Sequence, residues 1–109
     1  MTVKTFIERS GFYTTLLADE DREISGVYIG DLLSWVMGRA KADNAWITIM
    51  SNLNVIAVAT LTDVSCIIFA EGVIPDKELV DVAEIKGVNL LISELSSYDT
   101  AVAVSRILS

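Results

Sequence analysis

Two spacings of apolar residues alternate along this chain, and their order lays out a fold. Cys66-Ile67-Ile68-Phe69-Ala70 is a short, wholly apolar run. Glu71-Gly72 interrupts it, and Pro75 opens a segment of helical period. Between Pro75 and Lys86, Leu79, Val82 and Ala83 fall on one helical face, with Lys77, Asp81 and Glu84 opposite. Pro75 suits a first turn, because its missing N–H would find no partner there. Asp76 and Glu78 suit the positive end of the helix dipole, and Gly87 supplies a stop. The order is strand, turn, helix. In an open α/β sheet, ligands gather outside the carboxyl ends of such strands.

The rest of the chain repeats this grammar. Thr2 suits the N-cap of a helix over Val3–Ser10, with Phe6 and Ile7 facing inward and Gly11 ending it. Phe12–Leu17 alternates as a strand, and Asp19–Glu23 is a charged loop. Ile24–Ile29 reads as a second strand, interrupted by Gly26. Gly30-Asp31 makes a turn, Asp31 is placed to cap a helix over Leu32–Met37, and Gly38 is placed to stop it. A polar connector, Arg39–Asn44, leads to an aromatic and β-branched strand, Ala45–Met50. Asn52–Leu61 is apolar all round and suits either a strand or a buried helix; alternation of β with α favours the helix. After Cys66–Ala70 and the helix to Lys86 comes a strand, Val88–Ile92. A terminal helix then starts at Asp99-Thr100 and packs through Ala101, Val104 and Leu108. The pattern α-β-β-α-β-α-β-α-β-α predicts a three-layer α/β/α fold with a mostly parallel central sheet, formed as a single domain over residues 1–109.

Composition adds a partner to that picture. Apolar residues make up 52% of the chain and the mean hydropathy is +0.53, a heavy load for a small body. A second copy of the chain would cover the surplus, so a homodimer is expected. The net charge of −7 arises from eight basic and fifteen acidic residues with no basic patch, which excludes nucleic acid and anionic membrane surfaces as partners. Cys66 is the only cysteine, so no internal disulfide forms, and no histidine is present to activate its thiol. No apolar run approaches the ~20 residues needed to span a bilayer, and residues 1–17 lack a signal-like apolar block. A cytoplasmic location is the expectation.

Three stretches carry a resemblance to a known family. They are Asp21-Arg22-Glu23-Ile24-Ser25-Gly26-Val27-Tyr28-Ile29-Gly30-Asp31, then Ala45–Ile49 followed by Asn54–Ala59, then Ile67–Gly72 with Pro75 and Ala83 behind it. With Tyr98-Asp99-Thr100 near the end, the chain resembles a DRTGG domain over nearly its whole length. The resemblance implies a fold like that of the N-terminal domain of HPr kinase/phosphorylase and, more distantly, of Mur ligases. It also implies a regulatory or dimerising module, of the kind found beside CBS domains in some pyrophosphatases or beside phosphotransacetylase domains. The family's turn often reads Thr-Gly-Gly, whereas this chain has Ala70-Glu71-Gly72. A glycine pair lets backbone N–H groups approach an anion, and Glu71 puts a negative charge there instead.

Six residues are candidates for ligand binding: Gly30, Asp31, Glu71, Gly72, Asp99 and Thr100. Each has a plainer reading. Glu71-Gly72 serves equally as a βα connection whose glycine takes a positive φ. Asp31 and the Asp99-Thr100 pair serve as helix caps. Asp19–Glu23 lacks the spacing and glycine of a calcium loop, and no metal or cofactor is expected. No acid–base or nucleophile set stands out, so the chain is not expected to be an enzyme. The reading that follows is a non-catalytic regulatory module that homodimerises and regulates a partner protein, such as an enzyme. The alternative is a sensor of a small molecule, with an adenine nucleotide as the leading candidate.

Overall fold

The computed structural model describes residues Met1–Ser109 and yields ten elements in the expected order. These are α1 (Val3–Ser10), β1 (Tyr13–Leu16), β2 (Val27–Ile29), α2 (Leu33–Arg39), β3 (Ala45–Thr48), α3 (Asn54–Thr62), β4 (Cys66–Phe69), α4 (Lys77–Lys86), β5 (Asn89–Ile92) and α5 (Ser97–Leu108). One five-stranded sheet has the order β1-β5-β4-β3-β2. Strands β2 to β5 are mutually parallel, and β1 lies antiparallel on β5.

Every residue of β3, β4 and β5 is buried, as expected for parallel strands covered on both faces. Alternation divides their side chains between two cores. Trp46, Ile67, Phe69, Leu90 and Ile92 join Val36, Ile56, Leu79 and Ala83 from α2, α3 and α4. Ala45, Ile47, Cys66, Ile68 and Leu91 join Val3, Phe6 and Val104 from α1 and α5. Three helices therefore cover one face and two cover the other, which is the expected α/β/α sandwich. Helix α3 contacts α2 on one side and α4 on the other. Those flanking helices and the sheet beneath explain why an almost uniformly apolar segment is a helix. Its Val55, Ile56, Val58, Ala59 and Thr62 are buried, while Leu61 stays exposed.

Several element ends differ from the sequence expectation, each for a local reason. The second strand begins at Val27, because Gly26 adopts φ +84° and Ile24 bonds instead to the Met1 carbonyl. Phe12 and Leu17 fall outside β1. Asp31 does not cap α2. Leu32 occupies that N-cap without a side-chain bond, and the helix runs through Gly38 to Arg39. Asp99-Thr100 does not open α5, which starts at Ser97 with Ser96 as its N-cap. Helix α4 starts at Lys77, with Asp76 accepting from the Leu79 N–H. Helix α1 forms as expected, capped by Thr2 and closed by left-handed Gly11.

The amino ends of the parallel strands are stitched by polar groups. The Asn89 side chain accepts from Asp19 N and donates to the Asp19 and Ser65 carbonyls. Ser65 donates to the Glu23 and Asp43 carbonyls, and Asn44 donates to the Ser25 carbonyl. Arg22 pairs with Asp43 and Asp63 at 2.9 Å each. Burial opposes its charge, but hydrogen bonds to the two carboxylates outweigh that and raise its pKa. The charged loop is therefore a structural fastening, and the carboxyl ends of the strands are where loops remain available for binding.

Candidate functional site

Adjacent strands β4 and β5 send their following helices to opposite faces of the sheet: α4 to one, α5 to the other. Such divergence opens a crevice in α/β sheets and is where ligands usually sit. Here the two loops close on each other. Ser93 N donates to the Phe69 carbonyl at 2.8 Å, Gly72 N to the Ser93 carbonyl at 2.9 Å, and Glu71 N to the Leu95 carbonyl at 2.8 Å. Glu71 and Gly72 reach this geometry with φ of +61° and +68°. The Glu71 carboxylate then accepts from Ser97 N at 2.7 Å, at the amino end of α5. An anion-binding position is thus already filled by an anion of the chain itself.

The other candidates have structural partners too. Asp99 N donates to Ser96 Oγ at 3.0 Å, and the Thr100 hydroxyl meets the buried Ser93 hydroxyl at 2.8 Å. The Gly30 carbonyl accepts from the Trp46 indole N–H at 2.9 Å. Asp31 accepts from Thr48 Oγ1 at 2.8 Å and from Ile49 N at 2.9 Å, fastening the β2–α2 turn to the end of β3. The six candidates therefore stand in two places. Gly30 and Asp31 sit by β3, and the other four sit beyond β4 and β5.

A cleft of about 810 Å³ opens beside the closed crevice, bounded by the α1–β1 turn, β1, the residues after β5 and the β4–α4 loop. Of the six candidates only Gly72 lines it. Its other walls include Phe12, Tyr13, Thr15, Ile74, Glu94 and Leu95. Tyr13 and Ile74 are 69% and 77% exposed. Thr15 is the extra residue of a bulge, since Thr14 pairs with Leu91 and Leu16 with the next residue, Leu90. Its hydroxyl is covered yet has no hydrogen-bond partner, which costs about 1–3 kcal/mol in a buried setting. Sequence reasoning missed this cleft because it needs β1 laid antiparallel on β5, and nothing local in Phe12–Leu17 announces that pairing.

A second, shallower groove of about 530 Å³ runs between β2 and α5, lined by Val27, Ile29, Ala101 and Leu108 among others. With only α1 and α5 on that face, the Val27 and Ile29 side of β2 is only partly covered, while Tyr28 packs into the core on the other face. Val27 and Ile29 are 37% and 50% exposed, and nearby Leu32 and Trp35 are 59% and 54% exposed. The Arg39 guanidinium lies 3.9 Å from the Trp35 ring centroid.

Chemical groups elsewhere are muted. Cys66 is fully buried, and desolvation pushes its thiol up to about 12, outweighing the opposing charge of Arg22. No group of three or more Cys, Asp or Glu side chains converges in a way that could hold a metal ion. No helix is long and apolar enough to cross a membrane.

No family model matches the chain, and no curated protein matches it in sequence. A solved structure does match in fold. It is the CBS and DRTGG domains of the regulatory region of a Clostridium perfringens pyrophosphatase, complexed with its activator, diadenosine tetraphosphate. The TM-score is 0.77 at 12% sequence identity, over 97% of this chain and 46% of that one. The likeness is one of fold. It agrees with the DRTGG-like architecture that the sequence suggested, and this chain spans less than half of the matched regulatory region.

Proposed function

We propose that this chain is a non-catalytic regulatory module that pairs with a second copy of itself and regulates a partner protein. The observation that carries the reading is the bare strip along β2. Gly26 and Gly30 direct a carbonyl and an N–H at β3, so by alternation the backbone groups of Val27 and Ile29 turn to the open edge. Exposed edge strands are normally guarded by charge, proline, a covering element or shortness, and β2 has only the last, at three residues. Residues 26–30 contain neither a charge nor a proline, and α5 covers Val27 and Ile29 only in part, leaving a groove beside them. Two copies related by a two-fold axis would meet there without opposing carboxylates, despite the overall charge of −7. The buried thiol and the lack of histidine support a non-catalytic role. The fold neighbour's place in the regulatory region of an enzyme supports the regulatory one. Sedimentation of the purified chain tests the pairing, and Ile29→Glu, which sets a carboxylate on the edge, should weaken it about tenfold or more.

A second reading, a small-molecule sensor, is favoured by the cleft beside β1. The neighbour's complex with diadenosine tetraphosphate makes adenine nucleotides the first compounds to try. If one of them is the ligand, it raises the melting temperature, by an amount that keeps growing with the logarithm of its concentration above the dissociation constant. No shift with millimolar diadenosine tetraphosphate or ATP would argue against nucleotides as the class.

A further inference from the structure

The cleft between β1 and the β4–α4 loop has a chemistry that selects among small molecules. Its volume of about 810 Å³ falls within the ordinary range for ligand pockets. Its walls offer an apolar body three open contacts: the Tyr13 ring, Ile74 and Leu95. None of its lining residues is Lys or Arg, and its one charged member is Glu94. Glu94 is exposed and takes part in none of the four ion pairs of the chain. A second carboxylate, that of Glu71, belongs to the residue preceding Gly72 in the wall and already accepts from the amino end of α5. A phosphate entering here would meet negative charge and no cation. An ammonium group would meet a carboxylate able to pair with it. Aromatic bodies suit an exposed tyrosine ring, because offset stacking adds to area burial.

The bulge at Thr15 supplies the remaining feature. In a regular ladder a residue of β1 would pair with β5, but the extra residue leaves the ladder and lines the cleft. Its hydroxyl is unpartnered but buried, so the residue supplies a wall of the cleft and no hydrogen bond to a ligand. The geometry points to a site for an aromatic compound that carries a cationic amine and no phosphate. Glu94 pairs with the amine, and Tyr13 and Ile74 hold the ring. This inference rests on the small-molecule sensor reading and narrows it, since it turns that reading away from nucleotides at this cleft.

A matched pair of probes separates charge from shape. Tyramine and 4-hydroxyphenylacetate share a phenol ring and differ in the sign of the charge at the end of the side chain. In titrations followed by amide chemical shifts of the full chain, tyramine should move Tyr13, Thr15, Gly72 and Ile74 saturably. It should bind about tenfold more tightly than the carboxylate. Glu94→Gln should erase most of that preference while leaving the spectrum otherwise folded. The inference is overturned if tyramine leaves these amides unmoved, if the carboxylate binds as well, or if ATP moves the same amides more strongly. ATP shifts confined to other amides, with tyramine inactive, would sink this cleft and leave nucleotide sensing standing.

Discussion

Cys66 shows how completely position decides the chemistry of a residue. As a thiol in an apolar strand with no histidine in the chain, it reads from sequence as a small hydrophobe, and its full burial agrees. The raised pKa has a consequence for stability. The unfolded thiol begins to ionise near the ordinary value of 9.0, whereas the folded one keeps its proton to about 12. Stability from this group is therefore intact below the lower value and falls as pH rises toward the upper one, by about 1.4 kcal/mol per pH unit. Urea midpoints measured from about pH 9 upward should decline. Cys66→Ala, though less stable throughout, should decline less steeply, and equal slopes would contradict the assignment. Asp31 and Thr15 mark what was not legible at this scale. Asp31 has the sequence position of a cap, but its carboxylate accepts from Thr48 and Ile49, a choice set by β3 lying alongside. Thr15 looks like any residue of an alternating strand, and only its pairing with β5 makes it a bulge.

At the scale of elements, order and type were readable because each helix and strand carries its own periodicity. Their ends were less so, since neighbours in space decide them. The Glu71 turn shows the difference. The sequence identifies a βα connection with a misplaced-looking carboxylate. In the fold, that carboxylate links the β4–α4 loop to the amino end of α5, at the cost of left-handed backbone. Removing the side chain without relieving the backbone should be worse than doing both. Glu71→Ala loses the bond to Ser97 and keeps the strain, a destabilisation of about 1 kcal/mol or more. Glu71→Gly loses the same bond but relaxes φ, and should stay within about 1 kcal/mol of the parent. Urea titrations of the three proteins check the ranking. Glu71→Ala as stable as the parent would show that the carboxylate fastens nothing.

For the whole molecule, the three-layer fold was legible from alternation alone, and the apolar surplus pointed to a partner. What the sequence could not reveal is where the surplus lies. Three helices on one face and two on the other leave one side of β2, at Val27 and Ile29, only partly covered, an imbalance that emerges only once α5 is seen to pack on the same face as α1. Self-pairing along that edge is the central claim, and sedimentation equilibrium at micromolar concentration tests it most directly. The parent chain should sediment at twice its 11.9 kDa mass, and Ile29→Glu should shift it toward a single copy while keeping its circular dichroism. A parent chain that stays at 11.9 kDa across the concentration range, or an Ile29→Glu variant that pairs as tightly as the parent, would contradict it.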